Sequence, residues 1–167
     1  HYGDLYLGKT TVLAKDTPAF IANRIGVYGM MAIFGLIEKM GLTIDEVDAL
    51  TGPLIGRPKS ATFRTADVVG IDTLVKVAKG VYDNCEGDEQ RTVFQIPSWL
   101  NKVVENNWLG DKTGQGFFKK VKGPSGEKEI FTLDLKSLEY QPRQKPRFAS
   151  LEAAKPIDDL KQRLKML

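Results

Sequence analysis

The sequence predicts a mainly α domain with a peripheral β-hairpin and a C-terminal helix, and three observations carry that prediction. The stretch from Asp16 to Gly41, DTPAFIANRIGVYGMMAIFGLIEKMG, is the longest apolar run and has a boundary signal at each end. Further segments between Thr43 and Val104 repeat their apolar residues at helical spacing. After them a glycine-punctuated turn, Gly110 to Gly116, opens onto two extended runs. At 167 residues, with 42% hydrophobic and 27% charged side chains, the chain has the size and composition to bury one core.

In chain order, Thr10-Thr11-Val12-Leu13-Ala14 is a short β-branched run that reads as a strand in need of a partner. The long helix follows from Asp16, with Thr17 as cap, Pro18 where a missing N–H costs nothing, and Gly41 as the left-handed stop. Its apolar residues leave almost no polar face, so most of its circumference is expected to be buried. Asn23 and Arg24 interrupt it. The simplest reading bonds Asn23 to neighbouring backbone and sends Arg24 to solvent. Thr43 and Glu46 form a capping box that opens a helix through Leu50, stopped at Gly52-Pro53. Ser60 or Thr62 is expected to cap a short helix to Val69, Gly70 breaks it, and Asp72 to Asn84 forms the next helix. Arg57, Lys59 and Arg64 read as solvated loop charges, with an anion-binding rim as the alternative.

Residues 85–95 are polar and loop-like. Pro97-Ser98 starts a helix that ends before Leu109-Gly110. Taken alone, the glycines of 110–116 mark a turn, since no strand precedes them and no helix follows, as a dinucleotide fingerprint requires. Phe117 to Val121 and Lys128 to Leu133 then form a hairpin around Lys122 to Gly126, outside the helical core. Residues 135–147 read as a Pro- and charge-containing linker, 150–154 as a helical turn, and Pro156 as the start of an amphipathic helix through Leu167.

Composition excludes several classes. A net charge of +3 with interleaved signs does not call for nucleic acid. The apolar run is broken by Asn23, Arg24 and Glu38, so it is read as a core helix and not a membrane span. One cysteine, Cys85, excludes an internal disulfide framework and a multi-cysteine metal site, no metal is expected, and a reducing, cytoplasmic setting follows. Cys85 has no histidine within reach to activate it and is read as a plain thiol. The only histidine is His1, on a chain that begins without Met, so the sequence is expected to be a piece of a longer protein.

Three strings resemble the 3-hydroxyacyl-CoA dehydrogenases over about residues 8 to 120, two of them, around Asn23 and around Gly110, as motifs in the right order and separation. Asp16 to Arg24, after the strand-like Thr10 to Lys15, is similar to the junction where that family's NAD-binding domain passes into its C-terminal helical domain. Ala19 stands where the family usually has Gly, a change of one methyl group that leaves Asn23 in register. Asp67-Val68-Val69-Gly70-Ile71-Asp72 resembles the family's Asp-x-Val-Gly-Ile/Leu-Asp turn. Ahead of it, Pro58 to Phe63 departs from the commoner Pro-Met-Gly-Pro-Phe in the manner of the larger, multifunctional relatives. Gly110 to Phe118 is similar to the family's closing Gly-x-Lys-x-Gly-x-Gly-Phe-aromatic pattern.

The resemblance implies a helical C-terminal domain of the 6-phosphogluconate dehydrogenase-like type. Residues 1–15 would be the end of a missing N-terminal NAD-binding domain, 16–121 the helical domain, and 122–167 a hairpin, linker and terminal helix leading to a further domain, such as an enoyl-CoA hydratase module. It implies an active-site role for Asn23 beside a His–Glu pair of the other domain, substrate contacts from Phe20 and Arg24, and a cofactor contact from Lys112. The implied cofactor is NAD, bound mainly by a Rossmann domain in cis, and the implied partners are an acyl-CoA substrate and a second copy in a homodimer. The activity implied is oxidation of 3-hydroxyacyl-CoA to 3-ketoacyl-CoA in fatty-acid β-oxidation, with this chain inactive alone. The rival readings are a non-catalytic helical assembly module and the helical domain of a related dehydrogenase of small hydroxy acids.

Overall fold

The computed structural model describes residues 2–123 and 126–167, so His1 and the Pro124-Ser125 part of the expected hairpin turn lie outside the described residues. Among the described residues it is mainly α, with one three-stranded antiparallel sheet. Helix α1 (Tyr2–Tyr6) is short, and Thr10 to Ala14, expected as a strand, is exposed irregular chain. A strand forms only where a neighbour completes its ladder; here Thr11 instead gives its N–H and hydroxyl to Asp4, at 2.8 and 2.5 Å.

Helix α2 (Ala22–Met40) begins later than the apolar run suggests. Ala19 and Phe20 take positive φ of 64° and 48°, closing a turn in which Phe20 N–H donates to the Thr17 carbonyl at 3.1 Å. Thr17 therefore ends up in a turn ahead of the helix, and the N-cap, Ile21, supplies no side-chain acceptor. The C-terminal signal is realised: Gly41 lies at φ 64° and donates to the Ile37 carbonyl. The expectation that most of the circumference is covered is corrected. Only Val27, Met31, Phe34 and Ile37 are buried, while Ile25 and Met40 are 67% and 64% exposed. Helix α5 (Ile71–Asn84) and the Arg91–Phe94 turn pack on one side of α2, and the other side keeps an apolar stripe in the open.

Helix α3 (Ile44–Leu50) has both halves of its capping box, and a tight turn at Pro53–Ile55 follows it. The cap of α4 (Phe63–Val69) comes from elsewhere in the chain. The buried Asp48 carboxylate accepts from the N–H groups of Thr62, Phe63 and Arg64 at 3.1, 2.7 and 3.1 Å, so neither Ser60 nor Thr62 is needed. Gly70, at φ 98°, separates α4 from α5. Helix α6 (Ser98–Glu105) then places Trp99, Leu100 and Val103 in the core.

Strands β1 (Phe118–Lys122), β2 (Lys128–Leu133) and β3 (Tyr140–Pro142) pair in order, with Phe118 opposite Thr132 and Leu133 opposite Tyr140. Two expectations change here. The hairpin's far end is exposed, but its base enters the helical core through Phe117, Phe118 and Leu133. The linker read at 135–147 contains β3, tied down because the buried Asp45 accepts from Thr132 Oγ1 at 3.0 Å and from the Gln144 N–H at 2.7 Å. Helix α7 (Ala149–Ala154) and helix α8 (Leu160–Met166) complete the chain. Helix α8 starts past Pro156, where Asp159 accepts the Gln162 N–H at 2.8 Å, and it folds back onto the Pro53–Ile55 turn. No helix among the described residues is long and apolar enough to cross a membrane.

Candidate functional site

The residues singled out by the sequence fall into two groups at opposite ends of α5. With 14 residues in that helix, the groups are separated by about 20 Å along its axis.

The first group lies at the start of α2. The buried stripe of that helix runs Val27, Met31, Phe34, and one turn earlier it reaches Asn23. Asn23 thus points to the core side of the helix, yet it is exposed, as are Ala22, Ile25 and Gly26 around it. The first turn stands clear of the packed body. No other described residue is hydrogen-bonded to the Asn23 carboxamide, so the local backbone bond that its setting suggested is not made. Phe20 is 61% exposed beside it. Arg24 does not run free into solvent: its guanidinium donates to the Asp88 carboxylate in the loop after α5, which holds that carboxyl below its ordinary value.

The second group joins the two motifs that resemblance had picked out separately. The Asp67 carboxylate, buried, accepts from the N–H groups of Phe117 and Phe118 at 2.8 and 2.9 Å. Gly110 and Gly116 lie against it so closely that a Cβ on either would overlap Asp67. Two ion pairs flank this contact, Arg64 with Asp111 at 2.6 Å and Lys112 with Asp72 at 2.5 Å. Arg64 is thereby paired with an acid, while Arg57 and Lys59 are exposed. Lys112, the expected cofactor contact, has its ammonium on Asp72. Among the described residues the Gly114 to Gly116 turn leads into β1 with no helix behind it, so it is not the strand–turn–helix of a dinucleotide fingerprint. No cluster of three or more His, Cys, Asp or Glu side chains among the described residues is placed to hold a metal.

Four acids that sequence reading left without a role carry distant contacts: Asp67 and Asp88 those of the two groups, Asp45 and Asp48 those of the sheet and of the start of α4. Asp67 stood inside a recognised motif, but its partners are 50 and 51 residues away. Burial pushes the Asp67 carboxyl up to about 6, against the pull of its two N–H donors. The folded chain therefore holds this proton more tightly than the unfolded chain, whose ordinary value is 3.8. The stability linked to it is fully present below that value and is lost as pH rises through about 6. From pH 7 to pH 5 the wild-type chain is expected to gain about 1 kcal/mol on Asp67→Asn in urea unfolding. A gap that stays constant between the two pH values would contradict this assignment.

Fold and contacts together define a helical domain whose α2 presents an uncovered amide at one end and whose two motifs lock together at the other. Comparisons place it. The family described as "3-hydroxyacyl-CoA dehydrogenase, C-terminal domain" matches residues 20–120. A "Probable 3-hydroxyacyl-CoA dehydrogenase" of Bacillus subtilis is 52% identical over 99% of this chain and 20% of that protein. A relative of the same description in Deinococcus radiodurans is 48% identical over 70% of this chain and 33% of that protein. The solved structure of FadB2 from M. tuberculosis superimposes with a TM-score of 0.60 at 26% identity, over 72% of this chain and 40% of that one. The chain belongs to the 3-hydroxyacyl-CoA dehydrogenase C-terminal domain family, and it spans a fifth to a third of the length of these curated relatives.

Proposed function

We propose that the chain is the helical half of an NAD-dependent 3-hydroxyacyl-CoA dehydrogenase of fatty-acid β-oxidation, working with an N-terminal Rossmann domain in cis and as a homodimer. One observation carries the reading: Asn23 lies on the core-facing side of α2, yet its carboxamide is uncovered and hydrogen-bonded to no other described residue. Such an amide at the exposed start of a helix is suited to a cleft completed by another domain, since a polar group there costs nothing until a ligand or partner closes over it.

In this reading Asn23 donates or accepts a hydrogen bond at the reacting oxygen or at the imidazole beside it, a positioning role. Phe20 supplies apolar surface to the acyl thioester. NAD, bound mainly outside this chain, supplies the hydride acceptor for C3 of the substrate, and a His–Glu pair of the other domain takes the hydroxyl proton. The apolar stripe of Ile25, Leu36 and Met40, open along the outer face of α2, supports pairing with a second copy. Cys85, a half-buried free thiol, fits a reducing, cytoplasmic setting.

Asn23→Ala in the full-length enzyme is expected to lower kcat for 3-hydroxybutyryl-CoA about a hundredfold with KM for NAD unchanged, and the chain alone is expected to show no turnover. Wild-type kcat in the variant, or NAD reduction by the chain alone, would remove the reading.

A further inference from the structure

The first turn of α2 carries the amide on which the proposed function rests, yet little holds that turn in place. Ile21 provides no cap, the two residues before it sit at positive φ, and Ala22, Asn23, Ile25 and Gly26 are all exposed. Among the described residues, the tie from a side chain of this turn to the rest of the domain is Arg24 to Asp88.

Asp88 is itself well anchored. Its other carboxylate oxygen accepts the Gln90 N–H at 2.8 Å, its own N–H donates to the Cys85 carbonyl at 3.1 Å, and its carbonyl accepts from Arg91 at 3.1 Å. Arg91 continues the chain of contacts, donating to the Tyr82 carbonyl at 2.6 Å with its guanidinium 4.5 Å over the Tyr82 ring. The loop after α5 is thus fastened to the end of that helix, and its carboxylate reaches across to the residue next to Asn23. A planar guanidinium gripped at its tip fixes the direction of its own stem, and with it the phasing of the helical turn it leaves from.

Resting on the reading of Asn23 above, we infer that Asp88 is a positioning residue for the dehydrogenase reaction, orienting the Asn23 carboxamide by gripping Arg24 at the exposed start of α2. Its effect belongs to the chemical step and not to the stability of the fold, because a partly exposed ion pair contributes little to folding, whereas an amide displaced by a fraction of an ångström loses its hold on the reacting group.

The test uses the full-length enzyme with 3-hydroxybutyryl-CoA and NAD. Asp88→Asn keeps the volume and the acceptor for the Gln90 N–H but removes the charge. It is expected to lower kcat about tenfold, leave KM for NAD within twofold, and shift Tm by no more than a few degrees. Asp88→Glu, which retains the carboxylate, is expected to recover most of the kcat. The double variant Asn23→Ala/Asp88→Asn should be no slower than Asn23→Ala alone, since nothing is left to position. Wild-type kcat in Asp88→Asn, or independent losses that multiply in the double variant, with Asn23→Ala impaired in each case, overturns the role of Asp88 and leaves that of Asn23 standing. Wild-type kcat in Asn23→Ala removes both.

Discussion

Gly110→Ala is expected to cost the domain more than about 4 kcal/mol, a large share of the roughly 5–15 kcal/mol that holds an ordinary domain folded. A Cβ at this position would fall on the backbone carbonyl of Asp67, and the residue sits at φ 96°, where a side chain is strained in any case. Neither partner can move aside: the Asp67 carboxylate is held by the Phe117 and Phe118 N–H groups, and the Gly110 N–H by the Gln115 carbonyl at 2.9 Å. Gly114 is the internal control. It too has positive φ, 77°, but open space where a Cβ would go, so Gly114→Ala is expected to cost only about 1 kcal/mol of backbone strain. Urea unfolding followed by circular dichroism compares the two, and equal midpoints would show that the approach to Asp67 is not what demands glycine at 110.

Phe34→Ala is expected to lose about 3–5 kcal/mol, the range for a fully buried aromatic truncated in a core that cannot collapse around the gap. Phe34 is fully buried, stacked on Phe63 with ring centroids 4.9 Å apart, and edge-on to Trp99 and Phe117 at 5.3 and 5.8 Å. Four elements meet at this one ring: α2, α4, α6 and the base of β1. The Trp99 Nε1–H has no hydrogen-bond partner among the described residues, so packing alone holds the indole, and a gap beside it cannot be closed by a polar tether. Leu36, two residues along the same helix and half exposed, supplies the contrast; Leu36→Ala in the monomeric chain, where that face is unpaired, is expected to stay within about 0.5 kcal/mol of wild type. Comparable losses at the two positions would mean that the outer face of α2 is covered too.

Much of the fold was legible because its signals are local. The Thr43–Glu46 capping box, the Gly41 stop, the Gly70 break and the two runs of the hairpin each act within a few residues. Where local rules misled, a distant group had taken over the work. Asp48 caps α4 from 14 to 16 residues upstream, displacing the nearby hydroxyls. Asp45, by holding the Gln144 N–H, ties down the third strand, Tyr140–Pro142, where composition suggested a linker. The start of α2 was misplaced because apolar character persists through Phe20 and Ile21 while the backbone there turns left-handed, a conformation that composition does not report.

For the candidate site, the strings around Asn23 and Gly110 were recognisable as words, but their relation was not. Asn23 was visible as an amide in an apolar helix; that it emerges where the core stops could be seen only once α5 and the Arg91–Phe94 turn were packed against α2. Lys112 was visible as a lysine between glycines, and its capture by Asp72 depends on a contact across 40 residues.

By itself, then, the sequence determined most of the helical segments and where most of them stop, because caps, glycines and periodicity act over a single turn of chain. Only the tertiary structure decided which apolar surface is covered, which acid satisfies which backbone, and that one end of α2 is left open beside an anchored carboxylate. Those outcomes depend on groups far apart in the chain competing for the same water-free space, and no short stretch of residues carries that information.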